Sequence, residues 1–118
     1  MLELWEDVLA LPVVGVVDSQ RSAEMTERLL AETARSQARF VIVDLTGVEL
    51  VDTATADRLL KLVQSVELLG ARCFITGIQP AVAQTIVELG VEFGKLKALR
   101  NLKHALKLSM TLAAQDDA

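Results

Sequence analysis

Two small hydroxyls are the groups of this chain on which chemistry could be done: Thr53, in Val51-Asp52-Thr53, and Ser19, in Val17-Asp18-Ser19. In both places an apolar run ends, an aspartate follows at a helix N-cap position, and the hydroxyl falls in the first turn of a helical pattern. Small hydroxyl residues are commonplace in first turns, so a purely structural role stands beside a functional one. The functional role would be to accept a phosphate. Its roughly −1.5 to −2 charges would meet the unpaired N–H groups of a helix start, so the fold should survive. The same charge beside Asp52 and Glu49 would change any protein surface docking there.

Other chemistry finds little support. No Gly-x-Gly-x-x-Gly or Walker-type phosphate loop is present, and no Cys/His set has metal-ligand spacing, so neither a metal nor a cofactor is expected. The single histidine, His104, falls in the last helical pattern and reads as an ordinary helix residue. Cys73 lies in a buried-strand pattern and reads as a small core residue; Trp5 reads as packing. Asp52, Asp57 and Glu49 could form an acid/base pair, yet helix capping accounts for Asp52 and a solvated face for Asp57. No catalytic residue emerges, and an enzyme is not expected.

These positions must be held by an α/β framework. The chain has 118 residues, 52% hydrophobic but only 3% aromatic, which suits one domain with an aliphatic core between helices and a sheet. Phe40 to Leu45 has the length and β-branched content of a strand buried on both faces. Before it, Leu2 to Trp5 and Val8 to Val17 read as a short strand and a longer one, with Pro12 marking an edge or a bulge. A helix from Ser19 to about Ser36 carries Ala23, Met25, Leu29, Leu30 and Thr33 on its apolar stripe. A second helix, Thr53 to about Leu69, should bury Ala56, Leu59, Leu60, Val63, Val66 and Leu69, with Gly70 as its left-handed cap. Ala71 to Thr76 is another buried strand. Pro80 opens a third helix burying Val82, Ala83, Ile86 and Val87. Val91 to Lys97 could hold an edge strand, and Asn101 to Leu112 a last helix. The spacing therefore predicts a domain over 1–112 and a flexible acidic tail over 113–118.

Alternation of strand and helix calls for a mixed, mostly parallel sheet of four to five strands, with about four helices packed mainly on one face. The turns at Asp18-Ser19, at Asp52-Thr53 and from Thr76 to Pro80 then gather at one rim, where function in such sheets usually lives. The net charge is −4, and only Lys95, Lys97, Arg100, Lys103 and Lys107 form a basic stretch, so nucleic acid is not an expected partner. No apolar run approaches the roughly 18 residues of a membrane span. One unpaired cysteine fits a reducing compartment, which makes the cytoplasm the expected location.

Val41-Ile-Val-Asp-Leu-Thr-Gly-Val, then Val51-Asp-Thr, Leu68-Leu-Gly-Ala-Arg-Cys and Thr76-Gly-Ile-Gln-Pro-Ala-Val-Ala-Gln-Thr resemble the STAS (sulphate transporter and anti-sigma antagonist) domain. The likeness is to RsbR- and RsbS-type proteins of the bacterial stressosome, and it runs to about Leu108. It implies a non-enzymatic regulatory scaffold that binds an RsbT-type serine/threonine switch kinase and is phosphorylated by it, which controls sigma-factor activation. The family's acceptor positions match Thr53 and Ser19, the latter a serine where the family usually has threonine. A docking rim of Asp18, Asp52, Thr55, Asp57, Thr76, Gly77 and Gln79 follows from this reading. Implied partners are the kinase, RsbS-type and other STAS paralogues, and further copies of the chain in a homodimer or larger assembly. The alternatives are a stand-alone antagonist binding an anti-sigma factor kinase, and a STAS module binding a nucleotide or anion.

Overall fold

Strand β3 (Phe40–Gly47) has neighbours on both edges and a core on both faces, which is why it opens with four consecutive apolar residues, Phe40 to Val43. The computed structural model describes residues 1–90 and 97–116. In chain order the elements are β1 (Leu2–Trp5), β2 (Val8–Val14), α1 (Ser19–Ser36), β3, α2 (Thr53–Leu68), β4 (Arg72–Thr76), α3 (Pro80–Glu88), β5 (Ala98–Leu99) and α4 (Leu102–Asp116). The sheet order is β1-β2-β3-β4-β5. β1 runs antiparallel to β2 and every other pair is parallel, so the expected mixed sheet is found.

The register sorts the side chains between two cores. Val41 sits level with Leu9 and Cys73, Val43 with Leu11 and Ile75, and all join the larger core with Leu29 of α1, Leu62 of α2 and Val82 of α3. The alternate positions, Phe40 and Ile42, sit level with Val8, Ala10, Arg72 and Phe74. There they meet Ala105 and Ala113 of α4 in a smaller core. Three helices thus cover one face of the sheet and α4 the other. β1 pairs with β2 only as far as Ala10, so Pro12 lies beyond it, and β2 slips register against β3 between Pro12 and Val14. A residue without an N–H donor is accommodated by that bulge.

The helix faces differ from the expected stripes in instructive ways. α1 buries Ser22 where Ala23 was expected, and Ala23 is exposed. The Ser22 hydroxyl donates to the Asp18 carbonyl at 2.6 Å, so its polarity is satisfied inside its own helix. α2 packs against both α1 and α3, which widens its buried arc to include Thr55 and Leu62, while Leu69 is half exposed. α3 is short and buries Val82 fully, with Ile86 and Leu89 packed alongside; Ala83 and Val87 fall off that narrow stripe and face solvent. Trp5 on β1 is 42% exposed rather than packed away. β2 stops at Val14 instead of Val17, because Gly15 turns the chain with φ +84°. The edge strand is Ala98–Leu99; residues 91–96 of the expected segment lie outside the described residues. α4 continues to Asp116 with Ala113 buried, so helix extends beyond the boundary expected at 112.

Leu62 within α2 and Leu69 at its C-cap separate a core position from an outer one. Leu62→Ala should cost about 2–5 kcal/mol in urea unfolding, and Leu69→Ala about 0.5 kcal/mol or less. Equal losses would mean that α2 packs through a different face.

Candidate functional site

The rim at the carboxyl ends of the parallel strands is built from two copies of one local device. Asp18 caps α1, its Oδ1 accepting from the Arg21 amide at 2.8 Å. Asp52 caps α2, its Oδ1 accepting from the Thr55 amide at 2.7 Å. Ser19 and Thr53 are the first residues of their helices, and both are exposed. At that position the backbone amides point to the helix start unpaired, and the helix dipole is positive there. An added anion on either hydroxyl therefore meets favourable charge.

The two turns are tied together and to the sheet. Arg58 of α2 donates Nη1 to the Ser19 carbonyl at 3.2 Å. Arg21 donates Nη1 to the carbonyls of Val14 and Val16, at 2.6 and 2.8 Å, holding the loop between β2 and α1. Next to them Asp44 at the end of β3 accepts from the hydroxyls of Thr46 (3.0 Å) and Thr76 (2.6 Å), bridging β3 and β4. Gln79 donates to the Thr46 carbonyl at 2.8 Å. Gly77 has φ +68°, and a Cβ there would lie 2.0 Å from the Thr46 hydroxyl oxygen, so only glycine fits.

Of the expected rim residues, Asp18 and Asp52 are exposed, and Gly77 and Gln79 partly so. Thr55 and Thr76 are buried, which corrects their place in a docking surface: they support the rim from beneath. Asp57 lies on the outer side of α2 in an ion pair with Lys61 at 2.9 Å. Sequence reading missed three exposed apolar side chains in the segments that lead into the two caps: Val14, Val16 and Leu50, which are 65%, 85% and 71% exposed. Val14 ends β2, whereas Val16 and Leu50 lie in the loops that follow β2 and β3, where side chains are ordinarily polar.

The remaining reactive groups are placed elsewhere. Cys73 is fully buried in β4, and burial pushes its thiol up to about 12, which leaves it without thiolate character. His104 is exposed near the start of α4, where its amide donates to the Asn101 side chain at 2.9 Å. Among the described residues no group of three His, Cys, Asp or Glu side chains could hold a metal. A shallow depression beside the rim is lined by Thr46, Gly47, Glu49, Gln79, Pro80 and Ala81. Its charged group is a carboxylate, a poor match for a nucleotide phosphate. No helix of the described residues is long and apolar enough to cross a membrane.

Asp52 reports on the cap electrostatically. The Thr55 amide, then the Thr55 hydroxyl, and more weakly the Arg58 charge hold its carboxyl below the ordinary carboxylate range. A carboxylate made more acidic by folding stabilises fully above its unfolded pKa of about 3.9, and that contribution is lost as pH falls through the lower folded value. Asp52→Ala should therefore destabilise the chain at neutral pH, and the gap should close in strong acid, as read by denaturant melts across pH. A gap independent of pH would contradict the assignment.

Comparison with known proteins bears on this rim. A family model for the STAS domain matches residues 1–107. The RsbT co-antagonist protein RsbRA of Bacillus subtilis is 30% identical over 112 residues, which is 95% of this chain and 41% of that protein. The chain thus spans about two fifths of that relative's length. Among solved structures, RsbS of Moorella thermoacetica with a serine-to-glutamate substitution superposes with a TM-score of 0.81 at 27% identity, covering 93% of each chain. A chain from the molecular architecture of the stressosome, a signal integration and transduction hub, gives a TM-score of 0.82 at 27% identity, covering 95% of this chain and 96% of that one.

Proposed function

The chain belongs to the STAS domain family, and from that premise we propose that it is a non-enzymatic module of a stressosome-type assembly, docking an RsbT-type kinase and accepting phosphate on Thr53 and Ser19. The observation that carries this reading is the exposed Thr53 hydroxyl at the first position of α2, on a rim where Ser19 occupies the equivalent place on α1. In the transfer, Thr53 Oγ bonds to the γ-phosphorus of kinase-bound ATP, the bond to ADP breaks, and the hydroxyl proton passes to a base on the kinase.

The switch follows from charge and exposure. The free amides at the start of α2 offset much of the phosphate charge, so the domain stays folded. A protein resting on Val16 and Leu50, however, meets that charge added to those of Asp52 and Glu49. Apolar anchors supply the docking energy, and the phosphate works against it. Loosening the kinase in this way is the step through which sigma-factor activation is controlled. Thr55 and Thr76, buried beneath, keep the rim rigid in either state. The rest of the assembly is proposed as STAS paralogues of RsbS type and further copies of this chain, in the cytoplasm. Leu2 and Trp5, exposed on the β1 edge, suit such self-association.

Incubation with an RsbT-type kinase and ATP, read by mass spectrometry, should place phosphate on Thr53, and Thr53→Val should remove that signal. Transfer to residues away from the rim, or none at all, would sink the proposal. Leu50→Ala should weaken kinase binding about 5–30-fold without altering the melting temperature. Unchanged affinity would move the docking site off these side chains.

A further inference from the structure

Arg58 stands between the two turns in a way that neither turn requires for its own capping. It lies on α2, yet its guanidinium donates to the carbonyl of Ser19, 39 positions earlier and on another helix. The same cation helps to hold the Asp52 carboxyl acidic, so its field is felt at the turn that carries Thr53. Arg21, the other guanidinium beside Ser19, is already committed to the Val14 and Val16 carbonyls. Asp57, the carboxylate that precedes Arg58 on α2, is taken up by Lys61. Arg58 itself is exposed, and its hydrogen bond to a neutral carbonyl is easily exchanged for a stronger partner.

Resting on the reading that Ser19 accepts a phosphate, we propose that Arg58 is the receptor for that phosphate and thereby carries the state of α1 to the first turn of α2. A guanidinium presents paired N–H donors that match phosphate oxygens, so an oppositely charged, bidentate acceptor outcompetes the single bond to a neutral carbonyl. Arg58 therefore turns from the Ser19 carbonyl to the phosphate on the same residue. As it turns, its charge moves relative to Asp52. The amide of Thr55, which is bonded to Asp52, registers the change. One side chain thus couples the two acceptor turns.

The test uses the full chain with phosphoserine installed at 19 during synthesis, so no kinase is involved. In proton–nitrogen NMR spectra, phosphoserine at 19 should shift the Arg58 side-chain Nε–Hε resonance and the Thr55 amide. In Arg58→Gln the Thr55 shift should be lost; in Arg58→Lys, which keeps the charge but not the fork, it should be partly restored. An Arg58 Nε–Hε resonance that ignores the phosphate would overturn the proposal, as would a Thr55 shift of the same size in Arg58→Gln. Such a result bears on Arg58 alone, whereas failure of a kinase to modify Thr53 bears on the function proposed above.

Discussion

The bond between the Asp52 carboxylate and the Thr55 amide fixes where α2 begins, and with it where the Thr53 hydroxyl stands. One residue earlier or later would rotate that hydroxyl by about 100° around the helix and bury or misdirect it. The cap in turn depends on β3, because a strand covered on both faces leaves the sheet at one place only. Asp44 and Thr76 lock the ends of β3 and β4 together, and Gly77 lets the next turn pass close to Thr46. The sheet end thus presents two hydroxyl side chains that are themselves exposed. The division suits a switch in which charge changes and shape does not.

Much of this architecture could be read along the chain because the governing interactions are local. Asp18 and Asp52 bond three residues ahead, Pro80 opens α3 and Gly70 ends α2, and each is visible in a few consecutive letters. The doubly buried run of β3 is equally plain. What could not be read depends on the third dimension. Ser22 is buried in place of Ala23 because its hydroxyl finds the Asp18 carbonyl, which hydropathy alone does not register. Leu62 is buried because α2 touches helices on both sides. Thr55 and Thr76 fall in the rim segments by position along the chain, yet β-branched threonines with a nearby acceptor pack well inside, here against Asp52 and Asp44. The link from Arg58 to Ser19 spans 39 positions and carries no sequence signature at all.

The same distinction sorts the reactive groups. Cys73 and His104 are the residues most often enlisted for chemistry, yet one is sealed in β4 and the other is exposed on α4, on the far face of the sheet from α1, α2 and α3. The plain hydroxyls of Thr53 and Ser19 hold the favoured positions, since the field and the amides that would receive a phosphate come from the helices and not from special side chains. Exposed Val16 and Leu50 would give a docking protein something to hold beside that charge.

The central claim is that phosphate on Thr53 changes docking without changing the fold. Its most direct measurement compares the affinity of an RsbT-type kinase for the unmodified chain and for the chain bearing phosphothreonine at 53, by calorimetry, with circular dichroism on both. The account predicts binding weakened about tenfold or more, with superimposable spectra. Equal affinity, or a phosphorylated chain that has lost its helices, would contradict it.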